Sequence, residues 1–175
     1  MNFHELLTDG YTRISQVLER TLKGLSVDDL KWQPSPDANS IGWLAWHLTR
    51  VQDDHISSLM EEEQLWTKDG WHNEFHRPAD PKDRGFGHTP EQVAAFESPD
   101  AETLFSYHQA VSERSKCFFL TLSETDLGKE LNEPQYQPLP TVGVRLISVL
   151  ADNLQHAGQA AYVRGLLQGT GWQRR

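Results

Sequence analysis

The stretch TVGVRLISVLADNLQHAGQAAYVRGLLQ, Thr141–Gln168, decides the fold. It holds no proline, and Leu146, Val149, Leu150, Ala157, Ala160, Val163 and Leu167 recur at the steps of a helix with one buried face. Gly169 and Gly171 stop it. Inside this core-like helix Asp152 and His156 stand four residues apart, so they share a face. An acid and an imidazole one turn apart among apolar residues require a polar partner from elsewhere in the chain.

Three further segments carry helical periodicity. Phe3 to Leu25 repeats Leu6, Leu7, Tyr11, Ile14, Val17, Leu18 and Leu22, with Gly24 and Ser26 weakening its end. KWQPSPDANS reads as a turn, after which Asn39 or Ser40 caps a helix with the stripe Ile41, Leu44, Leu48, Val51 and Leu59. Asp100 to Ser123 carries Leu104, Tyr107, Val111, Phe118 and Leu122. Between the second and third helices lies a long segment rich in proline, glycine and tryptophan, about Gln64 to Pro99, in which Thr89-Pro90-Glu91 is a short-helix start. No alternating strand pattern or internal repeat is visible. The expected architecture is all-α: a four-helix bundle, one domain over 1–175, with a long irregular crossover between helices 2 and 3.

Composition narrows the function. The formal charge of -9 disfavours nucleic acid and anionic membrane surfaces, which need a basic patch. No apolar run is long enough to span a bilayer, and the start MNFHELLTDGYTR lacks a basic region followed by an apolar one, so no secretory signal is expected. Cys117 is the only cysteine, which rules out an internal disulfide. Together these point to a cytoplasmic protein.

The partner is in IGWLAWHLTRVQDDH. His47 lies three residues after Leu44 and four before Val51, on the inward stripe of the second helix. A buried imidazole without a partner costs about 1–3 kcal/mol, and Asp152 and His156 supply that company if the second and fourth helices are neighbours. His47, Asp152 and His156 together suit zinc, with nickel, iron and cobalt as alternatives, and leave coordination positions for water or substrate. Gln159 and Asn153 are candidates to hold the far nitrogens of the rings. The bland alternative is a buried hydrogen-bond network without metal.

NSIGWLAWHLTRVQDDH paired with DNLQHAGQAAYVRGLL resembles the DinB-like superfamily of metal-binding four-helix bundles, and within it the branch of mycothiol-dependent maleylpyruvate isomerase and related thiol transferases. The likeness is specific at the WHL element around His47 and the HAGQ element from His156. Many members of the superfamily hold metal with three histidines; Asp152 stands where one would be, and the mycothiol-dependent branch has an acid there. The resemblance implies a divalent metal, a low-molecular-weight thiol whose sulfur binds at or near it, and attack of the thiolate on a small-molecule electrophile. A metal-dependent hydrolase using the same three ligands and a non-catalytic metal- or ligand-binding bundle are the alternatives.

Arg145 and Arg164 are candidates to bind a carboxylate or sugar hydroxyl of the thiol cofactor, with surface ion pairing as their plain use. His72 and His76 in WHNEFH read as pocket-mouth residues rather than a second metal site, with their role open. Trp66 and Trp71 either wall that pocket or cover core. Asp53, Asp54 and His55 read as a solvated stretch, His55 lying about 12 Å along the helix from His47. Cys117 reads as a small core thiol. Bundles pair through exposed apolar helix faces, so a homodimer is an expected form.

Overall fold

The structure, a computed structural model, describes residues 1–174. Its long helices are α1 (Phe3–Leu22), α3 (Ile41–Met60), α7 (Ala101–Phe119) and α9 (Val142–Gln168). Short ones sit in the connections: α2 (Val27–Lys31), α4 (Leu65–Lys68), α5 (Trp71–Glu74), α6 (Pro90–Ala94) and α8 (Glu124–Leu127). Each long helix opens on a side-chain cap, from Asn2, Ser40, Asp100 and Thr141 respectively, which satisfies N–H groups the helix itself leaves free. α1 ends at Leu22 rather than Leu25, just before Gly24 with φ of +76°. Thr89 caps α6 with Pro90 in its first turn, as the sequence predicts. Among the described residues there is no strand, only an isolated bridge between Glu130 and Thr141. No helix of the described residues is long and apolar enough to cross a membrane.

The helices form a square in which α3 and α1 each pack on both α7 and α9. Side-chain pairs give the directions. Gln52 meets Asn153 and His55 meets Arg145, so α3 and α9 are antiparallel. Tyr11 reaches the Leu146 carbonyl and Arg164 reaches the Arg20 carbonyl, so α1 and α9 are parallel. Thr49 meets His108 and Ser57 meets Arg114, so α3 and α7 are parallel too. Consecutive long helices that run the same way cannot be joined by a tight turn; the chain must return along the bundle, roughly 30 Å for a helix of twenty residues. The long segment between α3 and α7 is that return.

Two charged side chains on α3 fasten the return to the bundle. Arg50 and Asp53 have side-chain exposures of 0% and 1%. Arg50 donates to the carbonyls of Pro81 and Asp83 at 3.1 Å and to Gln64 at 2.8 Å. Asp53 accepts from the Leu65 and Trp66 amides at 3.0 and 2.8 Å, and from the Tyr107 hydroxyl at 2.8 Å. Trp66, Phe75 and Phe96 of the crossover are buried in the main core with Trp46 and Tyr107. The expectation that Asp53 belongs to a solvated stretch is therefore corrected: it satisfies backbone N–H groups that burial would otherwise orphan. His55 is corrected likewise. It lies half-buried between Arg84 and Arg145, and burial and the Arg145 charge push its pKa down to about 4. Cys117, expected in the core, is exposed.

His108 is buried on α7, with Ser15 at 2.8 Å and Thr49 at 3.2 Å. Burial, then the charge of Lys116, pushes its pKa down to about 4. The native ring stays neutral where the unfolded one takes up a proton. Its contribution to stability is therefore complete above the ordinary histidine value near 6.5 and is lost as pH falls toward 4. Between pH 7 and 5 this group alone should cost about 2 kcal/mol. Denaturant unfolding across that range checks it: His108→Gln should give a flatter pH dependence than the parent, with the His55 part of the slope remaining.

Candidate metal centre

His47 sits on α3, facing α9, and is 5% exposed. Its ring lies edge-on to that of His156, with centroids 4.7 Å apart. Asp152 Oδ1 is 3.5 Å from His156 Nε2. One ligand atom from each of His47, Asp152 and His156 falls within 4.8 Å of the others, a grouping that can hold a metal ion. Antiparallel packing of α3 and α9 produces it: the turn of α3 bearing His47 faces the turn of α9 bearing the acid–imidazole pair.

Hydrogen bonds fix which nitrogens are free. His47 Nδ1–H donates to the Arg84 carbonyl, and His156 Nδ1–H donates to Gln159 Oε1 at 2.7 Å. In its neutral form each ring thus keeps its Nε2 lone pair, because an acceptor at one ring nitrogen fixes the tautomer and leaves the other for a metal. Asp152 Oδ2 is buried with no hydrogen-bond partner among the described residues. A carboxylate oxygen left unpaired beside two free imidazole nitrogens matches the donor set of a divalent cation. The electrostatics of the two rings differ, and a cation at His156 Nε2 would take the place of a proton shared with Asp152. Burial pushes the His47 pKa down despite the Arg84 carbonyl. Burial opposes charge on His156 and Asp152, but their mutual hydrogen bond prevails, raising the first and lowering the second.

The Arg84 carbonyl reaches His47 because the next residue is glycine. Gly85 has φ of +86°, and a Cβ there would lie 2.8 Å from Trp43, 2.9 Å from Trp46 and 3.0 Å from His47 Nδ1. Trp43 stacks on the His47 ring at 4.7 Å and donates from Nε1 to His88 Nδ1 at 3.2 Å. His88 Nε2–H then donates to Asp83 at 3.1 Å, and Asp83 pairs with Arg77 at 2.6 Å. The crossover therefore holds the His47 ring by its nitrogen, and through His88 it steadies Trp43, the α3 side chain that covers the ring's face. Gly85→Ala should destabilise the fold by roughly 2–4 kcal/mol, combining left-handed backbone strain with overpacking. It should also weaken metal binding about 10–100-fold by displacing the carbonyl. Thermal unfolding and metal titration measure the two effects. Neither Arg84 nor Gly85 is identified from the sequence; a lone glycine in a proline-rich segment carries no sign of which ring it lies against.

The other candidate residues are placed as follows. Gln159 holds His156, whereas Asn153 is fully buried and bonds to Gln52 at 2.7 Å. Arg145 pairs with Glu133 and lies against His55, lining a cavity of about 460 Å³. Arg164 donates from Nη1 to the carbonyls of Arg20, Thr21 and Lys23, closing the end of α1, and stacks on Trp172. His72 lies within the four-residue α5 and His76 just beyond it, taking φ of 50°, and among the described residues they form no metal-holding group. Trp66 is core, packed 5.7 Å from Tyr107, and Trp71 covers the same tyrosine at 5.3 Å.

A helical bundle with a His–Asp–His set between two facing helices defines the class: a DinB-like bundle, as the sequence resemblance implies. More narrowly, the sequence model of the mycothiol-S-transferase family matches residues 7–169, and the chain belongs to that family. The crystal structure of a conserved protein from Enterococcus faecalis superposes with a TM-score of 0.89 at 30% identity, covering 97% of this chain and 99% of that one. No curated protein matches the sequence.

Proposed function

We propose that the chain is a metal-dependent thiol S-transferase, in which His47, Asp152 and His156 hold one divalent ion, zinc first among the alternatives. The observation that carries this reading is the unpaired, buried Asp152 Oδ2 beside two imidazoles whose Nδ1 atoms are already committed. Membership of a family named for mycothiol S-transfer supports a low-molecular-weight thiol as co-substrate. A metal bound here would acidify the thiol, because coordination favours the thiolate.

The chain's own residues do the rest. His47 is held at Nδ1 by the Arg84 carbonyl of the crossover and on its face by Trp43 of its own helix, so its Nε2 presents one orientation. Gln159 does the same for His156. Arg145, beside His55 in the cavity lined also by Lys129 and Asn132, meets polar groups of the thiol. The thiol proton is released, a carbon–sulfur bond forms at the electrophile, and the group it displaces leaves with the bonding electron pair.

Protein purified without chelator should contain about one divalent ion per chain by elemental analysis and should consume thiol in the presence of an alkylating electrophile. Metal-free protein that still consumes thiol at the same rate would refute the reading. So would His47→Ala with an unchanged metal content.

A further inference from the structure

A second cavity lies on the other side of the triad from Arg145. It encloses about 670 Å³, and its lining includes Leu44, Tyr162, Val163, Leu166, Pro34 and Ala38. Leu44 precedes His47 on α3 by three residues, so both face the same way. Val163 is 7% exposed, whereas Tyr162 and Leu166 are 69% and 51% exposed, large apolar groups turned toward the opening. Gln159 also lines this cavity, and its Oε1 is the atom that accepts from His156. The groove and the triad thus share a side chain.

We propose that this groove is a subsite for the uncharged apolar body of the electrophile, which sits against Leu44 and Tyr162 with its reacting carbon toward His156. The proposal rests on the transferase reading and names where and what that enzyme binds. The volume falls in the range of small-molecule sites, about 300–1,000 Å³, which are mostly apolar with a few placed polar groups. The charged group lining it is Asp37, and the chain carries a net -9, so an anionic ligand is disfavoured on both counts. The opposite cavity, with Arg145, Lys129, Asn132 and Glu133, has the polar lining that suits a hydroxyl-rich thiol. Two reactants of unlike polarity would then meet at the triad from opposite ends of the α3–α9 seam.

The test uses 2,4-dinitrotoluene, a neutral arene without a leaving group, titrated into isotope-labelled full-length protein. Its expected signature is saturable amide shifts at Leu44, Gln159 and Tyr162. The anionic congener 2,4-dinitrobenzoate should bind about tenfold more weakly, given a facing carboxylate. Tyr162→Ser with Leu166→Ser should weaken the neutral probe at least about tenfold by removing apolar contact. Both side chains are half or more exposed, so melting temperature and metal content should not change. The proposal is overturned if the wild type shows no saturable binding, if the shifts map elsewhere, or if the double variant binds equally well. It is also overturned if the double variant turns a dimer into a monomer with probe affinity intact, since the groove would then be a self-association face. Asp152→Asn should leave the probe affinity unchanged. A wild-type protein that binds the probe yet holds no metal when purified without chelator would sink the transferase mechanism and leave the groove standing.

Discussion

Asp152→Asn should keep its helices and lose the metal binding proposed for the triad. The exchange is nearly isosteric, so packing at this half-exposed position is preserved, and only the anionic donor disappears. Metal affinity should fall at least about 100-fold, beyond the 10–100-fold typical of losing a mere supporting partner. The thiol-transfer rate at fixed metal should fall with it. Stability gives a readout independent of turnover. An ion at 100 times its dissociation constant raises stability by about 2.7 kcal/mol, so added metal should raise the melting temperature of the parent and not of the variant. In chelator the two proteins should unfold within about 0.5 kcal/mol of each other, the usual range for a surface substitution. If the Asp152→Asn protein holds metal as tightly as the parent, the cluster is a hydrogen-bond network and coordination is not its purpose.

The second large effect is structural. Asp53→Ala should cost about 3–5 kcal/mol, because it leaves the guanidinium of Arg50 buried without its counter-charge. The Leu65 and Trp66 amides lose their acceptor, and Tyr107 loses the acceptor for its hydroxyl. For a chain of this size the melting temperature should drop by roughly 10 °C or more. The loss should be coupled to the metal centre, since the segment Asp53 pins is the one that carries Arg84 and Gly85 to His47. Metal affinity measured well below the melting temperature should therefore fall too. A cost under about 1 kcal/mol would show that the apolar contacts of Trp66, Phe75 and Phe96 hold the crossover without the carboxylate.

Much of the site was readable along the chain because its spacing is local. Asp152 and His156 are one turn apart, and His47 shares a stripe with Leu44 and Val51; both facts need only helix geometry. Sequence order also placed the long connection between the second and third bundle helices. What the same reasoning misassigned were polar residues whose partners are distant in sequence. Asp53 and His55 looked solvated because their neighbours in the chain are charged, whereas their neighbours in space are the crossover amides, Arg84 and Arg145. Cys117 looked apolar beside Phe118 and Phe119, yet it falls on the outer face of α7 while Phe119 is fully buried.

The sequence by itself determined the four amphipathic helices, their caps and the residue types able to bind a cation, because periodicity and capping depend on residues within a turn of each other. Only the tertiary structure decided that α3 runs parallel to α7 and antiparallel to α9. That choice aligns His47 with Asp152 and His156, forces the chain back along the bundle, and lays the Arg84 carbonyl on the imidazole. Helix directions are set by which faces pack together across the whole bundle, and no stretch of local sequence carries that information.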